Sequence, residues 1–231
     1  MSSQTFRRRR ISLLLTVVIL VVVAIIFSKD MYRPQMVTPA STAPTGSAAS
    51  LLATLSIKGR APKTGYARTQ FGDGWSTVNG CDTRDIILHR DLTNTIVGEK
   101  CEVTSGTLDD PYTGKTIVFK RGADTSSAVQ IDHVVAIGDA WQTGAQQLSK
   151  ATREQMYNDP LELLAVDGPA NQQKSDGDAA TWLPPNKSFR CQYVARQIAV
   201  KSKYTLWVTQ AEYDAMNGIL SQCPGQSLPT A

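Results

Sequence analysis

The chain has 231 residues and a formal charge of +4, enough for one ordinary domain with an appendage. The charge is lopsided: six of the 24 basic residues precede residue 34 against one acid, Asp30, and the remainder carries 18 Lys and Arg against 19 Asp and Glu, a net of −1. That balance excludes a domain that holds nucleic acid through a bulk positive field, and leaves a local patch and a metal as the means.

Residues 1–10 form a basic tail ending in Arg7-Arg8-Arg9-Arg10, followed by Ile11 to Phe27, seventeen residues without a charge, Pro or Gly. A helix of that length rises about 26 Å, the short end of what crosses a bilayer core. Basic residues ahead of the apolar run predict a cytoplasmic tail, a signal-anchor over 11–28 and export of everything beyond. A cleaved signal peptide is the alternative, but no A-x-A-like site follows directly in Ser28-Lys29-Asp30; processing near Ser47-Ala48-Ala49 remains open. Residues 29–54, rich in Pro, Ser, Thr and Ala, read as a flexible stalk.

The domain proper is expected over 55–225. Leu55 to Trp75 alternates short apolar pieces with Gly and Pro and shows no periodic element. Asp82 is placed to cap a helix running through Leu92, with Asp85 at a capping-box-like spacing. Lys100 to Gly106 and Thr116 to Lys120 read as strands around a turn, Asp109-Asp110-Pro111-Tyr112-Thr113-Gly114. Val129 to Ile137 is the next strand. Ala140 to Tyr157 has helical composition interrupted only by Gly144, and Asn158-Asp159-Pro160 stops it. A short apolar segment, Leu161 to Val166, precedes a helix carrying Asn171. At the C-terminus, Asn186 is placed to cap a helix with the stripe Cys191, Val194, Ala195, Ile198 and Ala199. Thr209 and Glu212 form a capping box for a second helix with Tyr213, Met216, Leu220 and Cys223.

The four cysteines all follow the apolar segment, and their spacing lacks a C-x-x-C metal knuckle. Of three formal pairings, Cys81 with Cys101 and Cys191 with Cys223 are favoured. Each of the latter lies on an apolar helix face, and an antiparallel hairpin brings the start of one helix to the end of the other.

Chemistry concentrates at Asp132 and His133, set in the β-branched run Val129 to Val135. A carboxylate and an imidazole in such a run cost solvation unless a partner or metal compensates. His133 is suited to take a proton from water. Asp132 and Asn171 offer hard oxygens for Mg²⁺. Neighbours in a regular strand face opposite sides, so a shared site requires the strand to end or bend there.

The blocks Ile131-Asp132-His133-Val134-Val135, Glu162-Leu163-Leu164-Ala165-Val166 and Asn171-Gln172-Gln173-Lys174 resemble the HNH nuclease superfamily, and more closely its DUF1524 (GmrSD C-terminal-like) branch found in exported actinobacterial proteins. Asp110-Pro111-Tyr112-Thr113-Gly114 and Trp182-Leu183-Pro184-Pro185-Asn186 extend the likeness over roughly residues 60–223. The resemblance implies an α+β fold with a ββα-metal core, flanked by helices that include the C-terminal hairpin. It also implies His133 as general base, with Asp132 and Asn171 as ligands to Mg²⁺ or Mn²⁺. Glu162 stands where the middle Asn of the pattern belongs, and a Glu there can accept the imidazole N–H and raise the histidine's pKa.

Lys174, one turn beyond Asn171, is within reach of a phosphate oxygen or else solvated. Arg190, Arg196, Lys201 and Lys203 form either a phosphate-facing strip or a solvated helix side. His89 reads as a surface or packing residue, Ser175 to Asp178 as a helix-ending turn, and Trp182 as a core-edge filler. The expected activity is metal-dependent, sequence-nonspecific hydrolysis of nucleic acid, DNA foremost, by a membrane-anchored or secreted protein with no obligate protein partner. A catalytically silent exported binding module on the same scaffold is the alternative.

Overall fold

The computed structural model describes residues 47–229, so the expected membrane segment at 11–28 and most of the stalk lie outside the described residues. Among the described residues no helix is long and apolar enough to cross a membrane. The stalk ends earlier than its composition suggests: α1 (Ala48–Leu52) buries Ala48 and Leu52 in the main core, and Ser47 bridges Ser227. Ala48, Leu51 and Leu52 are what dock it.

β1 (Thr77–Val78) and β2 (Cys81–Asp82) form a small antiparallel pair leading into α2 (Thr83–Asp91). Asp82 caps α2 as expected, accepting from Arg84 N at 2.7 Å. Asp85 does not complete a capping box. Its Oδ1 accepts from Val103 N at 2.9 Å and pairs with Arg121, so it fastens the helix to the next sheet. That sheet is β3 (Thr93–Val97), β4 (Val103–Asp109) and β5 (Thr116–Lys120), antiparallel in chain order. β3 carries no alternation, being a mostly exposed edge strand, and escaped the sequence reading.

β6 (Val129–His133) pairs antiparallel with β7 (Leu163–Asp167), with Asp132 opposite Leu164 and His133 opposite Leu163. Between them lie α3 (Ile137–Gln142) and α4 (Lys150–Tyr157). The single helix expected over 140–157 is broken at Gly144, whose φ of 131° is closed to other residues, and a Cβ there would sit 3.2 Å from the Trp207 ring. Ser149 then restarts the helix as N-cap. α5 (Gly168–Lys174) follows β7 directly, capped by Asp167 through Ala170 N at 2.8 Å. Gly168 is required here, since a Cβ would fall 2.1 Å from the Ser127 carbonyl oxygen.

Period-two alternation makes the β6–β7 pair a divider between two cores. Val129, Ile131, Leu163 and Ala165 face a smaller core with α2 and the three-stranded sheet, while Leu164 and Val166 join the larger, helical core. Gln130 and Asp132 share the helical side, where α5 meets them.

The C-terminal helices are α6 (Arg190–Lys203) and α7 (Gln210–Leu220); Asn186 caps a short 3₁₀ turn, Lys187–Phe189, that leads into the first, and the Thr209–Glu212 capping box is formed. Both expected disulfides are present, Cys81–Cys101 and Cys191–Cys223. Each closes a loop worth about 3 to 4 kcal/mol on the chain-entropy estimate. Cys191→Ser with Cys223→Ser is therefore expected to lower Tm by several degrees in calorimetry, with no change in the far-UV spectrum of the native state.

The cations of α6 form neither a phosphate-facing strip nor a solvated side. Lys201 is fully buried, 3.0 Å from Asp139 and 2.9 Å from Glu212, and Lys203 pairs with Asp159 at 2.6 Å. Arg190 and Arg196 donate to the carbonyls of Pro184 and Leu161. Their side chains face polar groups of neighbouring helices and loops, so these cations are neither free nor arrayed for phosphate.

Candidate active site

β6 ends at His133, and this termination lets two neighbours of opposite facing serve one cavity. The cavity, of about 340 Å³, is lined by Asp132, His133 and Asn171 together with Arg68, Gln130 and Asp176, among others.

The His133 ring is 4% exposed and lies flat against Trp75, with centroids 5.5 Å apart and planes 8° apart. Its Nε2 donates to the Tyr157 carbonyl oxygen at 2.9 Å. A carbonyl only accepts, so Nε2 carries the proton and Nδ1 keeps its lone pair. Burial pushes the His133 pKa down to about 3, aided by the positive charges of Arg68 and Lys174 and opposed by the Tyr157 carbonyl. The ring is neutral at pH 7 and its Nδ1 is free to accept.

Asp132 is held from two sides. Tyr112 Oη donates to Oδ2 at 2.5 Å, and Lys174 Nζ lies 2.9 Å from Oδ1. Burial raises the Asp132 pKa despite the Lys174 ammonium and the Tyr112 hydroxyl. Burial likewise pushes Tyr112 well above the usual range, so the phenol keeps the proton it donates. The turn at 110–114 places Tyr112: Asp110 Oδ2 accepts from Thr113 N at 2.7 Å, and its Oδ1 accepts from Asp167 N at 2.9 Å, tying the turn to the end of β7.

Lys174 is 2% exposed, and its Nζ also donates to the His133 carbonyl at 2.8 Å. It is neither a phosphate contact nor solvated. It braces the Asp132–His133 stretch from within the core, bonding the carboxylate of one and the backbone of the other.

Glu162 also departs from expectation. It is fully buried, but its Oε2 accepts from Val135 N at 3.2 Å and it does not receive the imidazole N–H. The Tyr157 carbonyl fills that place, and the histidine's pKa moves down rather than up. Burial raises the Glu162 pKa, and the side chain supports the chain beyond β6.

Asn171 Nδ2 donates to Gln130 Oε1 at 2.9 Å. Asn171 and Asp132 both line the cavity, and each carries a hard side-chain oxygen. Each carboxylate oxygen has two lone pairs, so Tyr112 and Lys174 leave Asp132 capacity for a further cation. Among the described residues no three His, Cys, Asp or Glu converge as a metal cluster. The donor set fits a hydrated Mg²⁺ held by one or two protein oxygens, and not a closed zinc site.

Several contributors escaped the sequence reading, among them Tyr112, which was read only as part of a turn. Gln130 was within reach, since residues 130 and 132 share a strand face. Tyr157 acts through its backbone, which leaves no trace in residue type. Trp75 and Arg68 come from the aperiodic stretch before residue 76.

Residues 82–219 match the family described as GmrSD restriction endonucleases, C-terminal domain. The chain belongs to this family. The GmrSD C-terminal match spans Asp132, His133, Glu162, Asn171 and Lys174, and relates the chain to nucleases, whereas Arg68 and Trp75 precede it. A protein of Arthroderma benhamiae described as an uncharacterized secreted protein is 38% identical over 189 residues, which cover 80% of this chain and 89% of the relative. No solved structure matches the chain.

Proposed function

We propose that this GmrSD C-terminal-like domain is a metal-dependent endonuclease of HNH type that hydrolyses phosphodiester bonds of nucleic acid, DNA foremost, without sequence preference. The observation that supports this best is the His133 ring: neutral, anchored at Nε2, and lining the same cavity as Asp132 and Asn171.

In this reading His133 Nδ1 takes a proton from water as the water oxygen bonds to phosphorus. The bond from phosphorus to the sugar oxygen breaks, and that oxygen is protonated from solvent. Asp132 and Asn171 would hold Mg²⁺, or Mn²⁺, which when bound would neutralise charge on the departing and non-bridging oxygens. With its pKa lowered to about 3, the imidazole is a weak base by itself, but an anionic phosphate beside it favours the protonated form and raises its proton affinity. The net charge of −1 beyond residue 33 supports weak, salt-sensitive contact with nucleic acid in place of base readout.

Location outside the cytoplasm is part of the proposal. It is supported by the uncharged segment behind Arg7 to Arg10, by two disulfides and by the printed description of the fungal relative. The segment 11–27 would anchor the domain as a single pass unless cleaved.

The purified protein is expected to nick supercoiled plasmid with Mg²⁺ or Mn²⁺ and to stop on addition of EDTA; a parallel incubation with single-stranded RNA sets the substrate preference. A second reading, a silent binding module, is favoured by the occupation of both Asp132 oxygens by Tyr112 and Lys174. Absence of metal-dependent cleavage on either substrate would decide for it.

A further inference from the structure

We propose that Arg68 is the residue that grips the phosphodiester in this cavity, and that Tyr157 positions it; the proposal rests on the hydrolase reading above.

A phosphodiester entering beside Asp132 and Asp176 meets negative charge and needs a cation of the protein's own. Arg68 is the one Lys or Arg among the described residues lining the cavity. The cations beside the cavity's carboxylates are already paired: Lys174, buried, with Asp132, and Lys63, at the surface, with Asp176 at 2.6 Å. Arg68 itself is exposed, and among the described residues it forms no ion pair with a carboxylate. Its Nε and Nη2 donate to the Tyr157 hydroxyl at 3.3 and 3.2 Å, and its guanidinium lies 5.4 Å from the centre of the Tyr157 ring. A neutral phenol satisfies part of the guanidinium without cancelling its charge. The remaining donors stay available for the planar, two-point contact that phosphate oxygens accept.

Tyr157 thus acts at both ends. Its carbonyl orients His133, and its hydroxyl and ring orient Arg68, so base and grip are referenced to one residue at the end of α4. The stretch bearing Arg68 is itself fastened. Lys58 N donates to the Val208 carbonyl at 3.0 Å, Ala61 N to Gln142 at 2.8 Å, and Arg153 Nε to Gln70 at 2.8 Å. The site is therefore completed by a segment lying ahead of the family match at 82–219.

The test uses the full chain with Arg68→Ala, Arg68→Lys, Tyr157→Phe and the Arg68→Ala/Tyr157→Phe pair, each checked for native near-UV circular dichroism. Arg68→Ala should lower the kcat of nicking by about 100-fold, the scale of losing one preorganised donor to developing charge. Arg68→Lys should recover part of it. Tyr157→Phe should cost less than Arg68→Ala, and nothing further in the Arg68→Ala background, a non-additivity that a purely structural tyrosine would not give.

In parallel, anisotropy of a fluorescent 20-base-pair duplex is titrated in EDTA. Arg68→Ala should weaken binding about tenfold and reduce the salt slope by about one. Nicking within twofold of wild type, or unchanged duplex affinity and slope, overturns the assignment. A wild-type protein that never nicks while Arg68→Ala still weakens the duplex removes the hydrolase reading and leaves the grip standing.

Discussion

His133→Asn should reduce metal-dependent nicking by about 10²- to 10⁴-fold, the usual contribution of a positioned general base. Asn keeps a polar side chain able to donate toward the Tyr157 carbonyl, yet it cannot take up a proton. Loss of activity therefore separates from loss of fold. The substitution also gives up the flat contact with Trp75, an aromatic pairing worth about 0.5 to 1.5 kcal/mol, so a Tm lower by a few degrees is expected. Single-turnover nicking with saturating plasmid is the measurement. Activity within tenfold of wild type would place the base elsewhere and leave the His133 lone pair without a role.

Lys174→Met should be among the most destabilising single changes in the chain while touching nothing in the solvent. It removes a fully buried ammonium from a carboxylate that is itself buried, and breaking one side of such a pair costs about 3 to 5 kcal/mol. For a domain of this size that is a fall in Tm of roughly 10 °C. Asp132→Asn combined with Lys174→Met should restore much of the loss, because no unpaired charge then remains, while nicking stays absent. A lysine merely reaching for phosphate at the surface would cost no more than about 0.5 kcal/mol on removal. Thermal unfolding of the single and double variants thus distinguishes a brace from a surface contact, independently of any activity.

What was legible in the sequence was local or periodic. The Thr209–Glu212 capping box, the Asp82 cap, the strand at 116–120 and the turn at 175–178 follow from residues within a few positions of one another. The Cys191–Cys223 bridge followed from cysteines on the apolar faces of two helices in a hairpin, and that preference left Cys81 to Cys101. The gathering of Asp132, His133 and Asn171 was foreseen because a strand, a strand and a helix in succession leave few ways to pack. The strand expected over Val129 to Ile137 stops at His133, four residues early, which meets the condition that a site shared by Asp132 and His133 needs the strand to end or bend there. The midpoint break of the 140–157 helix was not foreseen, since a lone Gly is tolerated in helices and only the Trp207 ring pressed against it shows why the chain turns there.

The sequence alone therefore determined which chemical groups are present, on which elements they ride and in what order. Tertiary structure decided who touches whom. Lys174 meets Asp132 across 42 residues and Arg68 meets Tyr157 across 89, separations over which neither periodicity nor capping carries information. His133 is oriented by a backbone carbonyl that any residue would supply, and Glu162, placed by spacing beside the imidazole, is turned to Val135 instead. Such partnerships are settled by which buried polar groups can satisfy one another once the two cores have closed on either side of the β6–β7 pair, and that is a property of packing in three dimensions.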